Sequence, residues 1–267
     1  MANKIWFITG AANGFGRHWT EAALERGDRV AATARDRDRL ADLAARHGDA
    51  ILPLTLDVTD RTAAFAAVRR AAQTFGGLDV VVNNAGYGHF GMVEELTEEE
   101  IRAQLETNFF GALWVTQAAL PVLRARGGGH IVQVTSEGGV VAFPGIGAYH
   151  ASKWALEGLS ESLRQEVAGL GIHVTALEPG PYATGFADTS RHSAPLAAYD
   201  AVRENDMPVW DVGDPVATRA AILELVDAAQ PPSRVLFGRS LPAVTADYER
   251  RLRTWTDWNA LSLKAFR

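Results

Sequence analysis

The stretch Lys4-Ile-Trp-Phe-Ile-Thr-Gly-Ala-Ala-Asn-Gly-Phe-Gly16 joins a short apolar run to three glycines, and the helical pattern over residues 17–26 stops at Gly27. Strand, turn and helix succeed one another without a spacer. Glycines at such a turn let the backbone come close to a pyrophosphate, and the free N–H groups and positive end of the helix stabilise its charge. The spacing is G-x-x-x-G-x-G, which departs from the commoner G-x-G-x-x-G dinucleotide pattern. A glycine-rich turn alone is equally a tight connection. The next elements of the chain decide between the two.

Working outward, residues 28–34 read as a second strand, 38–48 as a helix, 51–56 as a third strand, 59–75 as a helix and 78–84 as a fourth strand. Alternation of this kind predicts an α/β fold, a doubly wound parallel sheet with helices on both faces. At 267 residues, 47% of them hydrophobic, the chain is expected to form a single domain spanning 1–267.

The end of the second strand is where a carboxylate would hold the adenosine ribose of NAD and an arginine would take the 2′-phosphate of NADP. The residues there are Ala34, Arg35 and Asp36. With no acid at Ala34 and a guanidinium at Arg35, NADP is the favoured cofactor and NAD the alternative; the competing reading is that Arg35 and Asp36 only begin a charged surface helix. Asp57 is placed to accept a hydrogen bond from an adenine amino group, with Val58 beside it, while Asp57 or Asp60 is also a candidate helix cap. Asn83-Asn84-Ala85-Gly86 ends the fourth strand, either as a nucleotide-edge loop or as an ordinary Asn/Gly turn. Thr97 to Glu100 reads as a capping box opening the helix that carries Asn108, with Pro121 expected to interrupt it and Gly127–Gly129 to end it. Asn108 within Asn-Phe-Phe-Gly-Ala-Leu-Trp needs hydrogen-bond partners if buried, in a structural or a catalytic network.

The central stretch, from the strand ending at Ser136 to Lys153, gathers a hydroxyl, a phenol and an amine. Tyr149 and Lys153 stand four residues apart in a segment whose Trp154, Leu156, Leu159, Leu163 and Val167 recur at helical spacing, so both side chains share one helix face. A phenol with a pKa of about 10 is a poor acid or base near neutrality, and a fixed ammonium beside it favours the phenolate. Lys153 is therefore expected to lower the pKa of Tyr149. Ser136 lies at the carboxyl end of its strand, the edge where open parallel sheets bind ligands.

Beyond the sixth strand, which ends at Pro179-Gly180, residues 181–212 mix Pro, Gly, Tyr182, Phe186 and Trp210 with polar residues. They read as a substrate lid or as a surface excursion packed by its own aromatics. Residues 241–267 read as a helical extension carrying Leu252, Trp255, Trp258 and Leu261, which covers either its own core or a neighbouring subunit.

A net charge of -6 with arginines scattered among acids gives no basic stripe for nucleic acid. Zero cysteines exclude disulfides, thiol catalysis and thiolate metal sites, and no metal site is expected. No stretch has the roughly 18 uncharged apolar residues of a spanning helix, and the N-terminus runs into a strand without a signal-peptide core, so a soluble cytoplasmic protein is expected.

Thr9-Gly-x-x-x-Gly-x-Gly16, Asn83-Asn-Ala-Gly86, Asn108, Ser136, Tyr149-x-x-x-Lys153 and Pro179-Gly180 together resemble the short-chain dehydrogenase/reductase family over roughly the first 185 residues. The resemblance implies a Rossmann fold, with Tyr149 as the acid in carbonyl reduction or the base in alcohol oxidation, and Ser136 orienting the substrate oxygen. It also implies that Lys153 lowers the Tyr149 pKa and binds the nicotinamide ribose, while Asn108 holds a water linking the lysine to solvent. Gly10, Asn13, Gly14, Phe15, Gly16, Arg35, Asp57, Val58, Asn84, Ala85, Gly86, Pro179, Gly180 and Thr184 would line the cofactor, with Thr184 at the nicotinamide carboxamide. NADP-type members with a basic residue just before the second glycine have Asn13 here instead, which leaves the 2′-phosphate to Arg35, with Arg17 as a candidate helper. The family is commonly oligomeric, so a homodimer or homotetramer is expected, with the 149–168 helix as one pairing surface.

The expected activity is hydride transfer between NADP(H) and a carbonyl or secondary alcohol, with an apolar ketone in a pocket of Val140, Phe143, Tyr182, Phe186, His89 and Trp210. Its rivals are an NADP-binding sensor or scaffold without turnover, and a cofactor-free lyase or dehalogenase on the same fold. The tuned phenol disfavours the first, and the glycine turn with Lys rather than Arg at 153 disfavours the second.

Overall fold

The computed structural model describes residues 3–205 and 211–266. In order, β1 (Ile5–Ile8), α1 (Gly14–Glu25), β2 (Arg29–Ala34), α2 (Ala41–His47), β3 (Ile51–Thr55), α3 (Arg61–Phe75) and β4 (Val80–Asn83) make the first half. Then come β5 (His89–Phe90), α4 (Glu98–Leu105), α5 (Gly111–Arg126), β6 (Gly129–Val134), α6 (Gly147–Val167) and β7 (Ile172–Pro179). The chain finishes with α7 (Phe186–Thr189), β8 (Arg191–His192), α8 (Asp200–Asn205), α9 (Thr218–Asp227), β9 (Arg234–Phe237), α10 (Leu241–Asp257) and α11 (Asn259–Ala265).

Seven strands form one parallel sheet in the order β3-β2-β1-β4-β6-β7-β9. Successive side chains of a strand point to opposite faces, and both faces are covered. Ile5, Phe7, Val81, Ile131 and Val174 pack with α3, α5 and α6, while Trp6, Ile8, Val30, Val80, Val82 and Val132 pack with α1, α2 and α9. This is why the strands read as unbroken apolar runs. The order reverses between β1 and β4, and a crevice lies at the carboxyl ends of the strands there.

Thr97 and Glu100 form the expected capping box, each side chain accepting from the other's backbone N–H. Pro121 does not interrupt the helix. α5 runs through it to Arg126, because Pro121 and Gln117, whose carbonyl loses its helical donor, both face water. Between α4 and α5, residues Glu106–Phe110 form one π turn. The excursion after β7 is held by paired short strands, β8 lying parallel to β5. His89 is buried beneath it, donating from Nε2 to Ser193, whose hydroxyl donates to Glu100 at 2.8 Å.

Among the described residues no helix is long and apolar enough to cross a membrane.

Candidate active site

A cavity of about 930 Å³ follows the carboxyl edge of the sheet from Arg35 at one end to Phe186 at the other. Gly10 (φ +67°) and Gly14 (φ +52°) take the left-handed conformation that turns β1 into α1. Gly16 is required for a different reason, since a Cβ there would lie 2.4 Å from the Gly10 carbonyl oxygen. It packs the turn from beneath and lies outside the cavity lining. The β1 and β4 loops are tied together: Asn84 donates to the Thr9 and Gly10 carbonyls, and the Thr9 hydroxyl accepts from the N–H groups of Asn84 and Ala85.

The crevice fits a dinucleotide. Asn13 caps α1 with extended backbone and no side-chain bond to the first turn, and that turn carries no acid, so the free N–H groups and positive helix end face the cavity. Thr184 packs over Gly14. At the far end Ala34, Arg35, Asp36 and Arg39 line the wall, with Asp57 and Val58 opposite. Arg39 was not singled out by its sequence context, because only the turn after β2 brings it beside Arg35. Asp57 keeps one carboxylate oxygen on Thr59, and Asp60 is the residue that caps α3. Arg17 does not reach the cavity: Glu21 holds its Nε at 2.8 Å and Asp42 holds its two terminal nitrogens.

β6 and α6 bring the reacting groups together. Ser136, just past β6, accepts from the Gly138 N–H at 3.0 Å and hydrogen-bonds the Tyr149 phenol. Tyr149 is buried, and Phe186 meets its ring edge-on at 5.5 Å. The Lys153 amine lies 5.6 Å from the Tyr149 ring centre and donates to the Val134 carbonyl at 2.8 Å. Burial pushes the phenol up to about 12 against the hydrogen bond from Ser136, and the nearby Glu137 carboxylate pushes the same way. The expected lowering by Lys153 is therefore not what this arrangement produces. Burial also brings the Lys153 amine down to about 8, opposed by the Glu157 carboxylate one turn on. Behind that amine, Arg234 lies 3.3 Å from Glu157 and 3.2 Å from Glu178, and burial, then the charge of Glu157, raises Glu178 to about 7.

Asn108 sits in the π turn, buried. Its amide donates to the Tyr87 carbonyl and to Ser152, and its Oδ1 accepts from the Tyr87 N–H. These bonds hold Asn108 in place, and Gly86 lies between it and Lys153, since a Cβ there would be 3.1 Å from Asn108 Oδ1 and 3.6 Å from Lys153 Nζ.

Phe143, Tyr182 and Phe186 line the cavity with Ala85, Pro179 and Gly180, joined by Tyr87, Phe90, Ile146 and Arg191, which the sequence did not mark. Val140 does not line it: it is buried, and Arg251 reaches its backbone carbonyl. His89 is likewise an anchor rather than a wall, and Trp210 lies outside the described residues. His150, the residue after the phenol, accepts from the Phe143 N–H at Nε2 and donates from Nδ1 to the Gly138 carbonyl, which fixes the 138–143 turn over the site. Among the described residues no cluster of metal-ligating side chains occurs.

The model of the short chain dehydrogenase family matches residues 4–195. The chain belongs to this family. An oxidoreductase of Botryotinia fuckeliana, BOA17, is 40% identical over 245 residues, covering 88% of this chain and 89% of its own. A short-chain dehydrogenase crystal structure from Streptomyces avermitilis is 37% identical with a TM-score of 0.91, over 99% of both chains. Another from Burkholderia cenocepacia, in complex with NADP, is 26% identical with a TM-score of 0.71, over 98% of this chain and 96% of its own. The short-chain dehydrogenase described here is an oxidoreductase.

Proposed function

We propose that this short-chain dehydrogenase is an NADP-preferring reductase of apolar ketones, running in reverse as a secondary-alcohol dehydrogenase. The observation that carries this reading is the placing of the Ser136 hydroxyl and Tyr149 phenol on the wall of a cavity whose other end is a glycine turn beside Arg35 and Arg39. Gly10, Asn13, Gly14 and Phe15 would hold the pyrophosphate, Asp57 and Val58 the adenine, and Arg35 with Arg39 the 2′-phosphate. Asn84, Ala85, Gly86, Pro179, Gly180 and Thr184 would line the nicotinamide half. The bound cofactor supplies hydride.

The chain's own residues handle the proton. Ser136 and Tyr149 together hold the carbonyl oxygen, and the phenol, held above its ordinary pKa by burial, is protonated at neutral pH and donates as negative charge develops on that oxygen. The phenolate left behind is stabilised by the Lys153 ammonium, and the second lone pair of Asn108 Oδ1, across Gly86, is available to a water that returns the proton. Phe143, Tyr182 and Phe186 shape an apolar substrate wall, residues 181–212 act as its lid, and the whole chain works as one domain. The reading includes a homo-oligomer working in the cytoplasm.

The test is NADPH oxidation with a panel of aryl, cyclic and long-chain ketones. Tyr149→Phe should cut kcat by about 10²–10⁴-fold with nucleotide binding retained. Equal turnover by both proteins removes the proton donor from the scheme. Tight NADPH binding with no turnover of any ketone by the wild type supports the sensor reading instead.

A further inference from the structure

Among the described residues the buried carboxyl side chains are those of Asp28, Glu95, Glu137, Glu157 and Glu178. Four of them lie against an arginine: Asp28 on Arg26, Glu95 on Arg203, and Glu157 and Glu178 on Arg234. Glu137 has no such partner among the described residues. The basic groups on the elements around it are engaged elsewhere, Lys153 donating to the Val134 carbonyl, Arg251 to the Val140 carbonyl and His150 to the Gly138 carbonyl. Glu137 Oε2 accepts from the Ser240 hydroxyl, and a Cβ on Gly180 would lie 3.4 Å from that oxygen. The other oxygen finds no donor among the described residues, and the side chain lines the cavity directly after Ser136. Burying a charge without a counter-charge is unfavourable, and burial does raise the Glu137 carboxyl, with Ser240 opposing. The Glu137 charge in turn raises the Tyr149 phenol, so it works against the phenolate that carbonyl reduction leaves behind.

We infer that Glu137 is a substrate-binding residue whose missing cation arrives with the substrate, a ketone that carries a protonated amine close to its carbonyl. Ser136 holds the carbonyl oxygen and Glu137 follows it, with consecutive Cα atoms about 3.8 Å apart, so the two groups they bind are a few bonds apart. Phe143, Tyr182 and Phe186 receive the apolar remainder of the molecule. The ammonium has two effects. It donates a charge-assisted hydrogen bond to the free carboxylate oxygen. It also neutralises the charge beside Tyr149, so the phenolate forms at lower cost when the amine is in place. Recognition at Glu137 thereby lowers the barrier at the carbonyl. A substrate hydroxyl would satisfy the oxygen and leave the charge, whereas the four other buried acids all meet a full cation. The inference rests on the reductase reading and narrows its substrate class.

The test compares NADPH-dependent reduction of β-dimethylaminopropiophenone, its hydrocarbon isostere phenyl isopentyl ketone, and β-hydroxypropiophenone. The wild type should favour the amine over the isostere by about 10–100-fold in kcat/KM, the range of a hydrogen bond to a charged group. Glu137→Gln keeps the shape and an acceptor for Ser240 but removes the charge. In that variant turnover of the amine should fall and turnover of the isostere should rise, since the phenolate no longer forms beside a carboxylate. A merely structural tie to Ser240 would lower both alike, and that result overturns the inference. So does a wild type that takes amine and isostere equally, or the hydroxy ketone as well as the amine, a comparison that stands even without a folded variant. Should none of the three be reduced, the reductase reading falls, and calorimetric titration of the amine into the complex with NADP⁺ decides the inference. Binding at least about tenfold tighter to the wild type than to Glu137→Gln upholds it, and equal binding overturns it.

Discussion

Replacing Lys153 with methionine keeps the side-chain length and removes an ammonium that the fold holds at high cost. The amine falls from 10.5 to about 8, first through burial, with Glu157 opposing. At about 1.4 kcal/mol per pH unit this is a penalty of about 3 kcal/mol on the folded state at neutral pH. The lost hydrogen bond to the Val134 carbonyl offsets about 1–3 kcal/mol of what the substitution relieves. At pH 7 the variant should therefore match or exceed the wild type in stability while losing the proposed reductase activity. The pH dependence is the sharper quantity. Because the native amine binds its proton more weakly, the unfolded chain holds an extra proton between pH 8 and 10.5, so wild-type stability rises with pH through that window. From pH 7 to 9.5 the wild type should gain about 2 kcal/mol on the variant. Tyr149, at about 12 in the fold and unchanged in the unfolded chain, contributes alike to both proteins. Urea unfolding followed by far-UV circular dichroism, without added nucleotide, measures the difference at each pH. Parallel stability curves, or a wild type that loses ground as pH rises, would refute the claim that Lys153 is a buried, weakened base.

Arg35→Ala should raise the Kd for NADPH at least tenfold and leave NADH within about twofold, as measured by fluorescence titration; an equal loss for both nucleotides places the 2′-phosphate elsewhere. Glu157→Gln removes the carboxylate that holds the Lys153 amine up, so the alkaline limb of the reductase pH–rate profile should move to lower pH by up to about one unit. A limb that stays put or moves upward separates Glu157 from the lysine.

Much of the sheet was legible because its physics is local. β1, β4 and β6 are covered on both faces, so they appear as continuous apolar runs, and the turns between them need glycines that stand out at any reading. The Tyr149–Lys153 pair was legible for the same reason, since four residues on a helix fix two side chains on one face. What stayed hidden depends on distant parts of the chain. The Tyr149 pKa comes from how deeply α6 is buried, which no spacing reveals. Arg17 looked available until α2 brought Asp42 against it, and His89 looked like a pocket wall until Ser193, more than a hundred residues on, proved to be its partner. Val140 is buried outside the cavity lining, in a turn held at both ends by His150, a residue with no motif of its own.

The π turn at Glu106–Phe110 makes chain length, rather than composition, the constrained quantity in this part of the molecule. Deleting one residue there would let α4 pass into α5 as an ordinary helix with α5 keeping its face on the sheet, because a π turn takes up one residue more than an α turn. Val115, Ala119 and Leu123 would stay in the core, while Asn108 would lose its place against Tyr87 and Ser152. The cost of the missing residue would fall on the site and not on the packing around it.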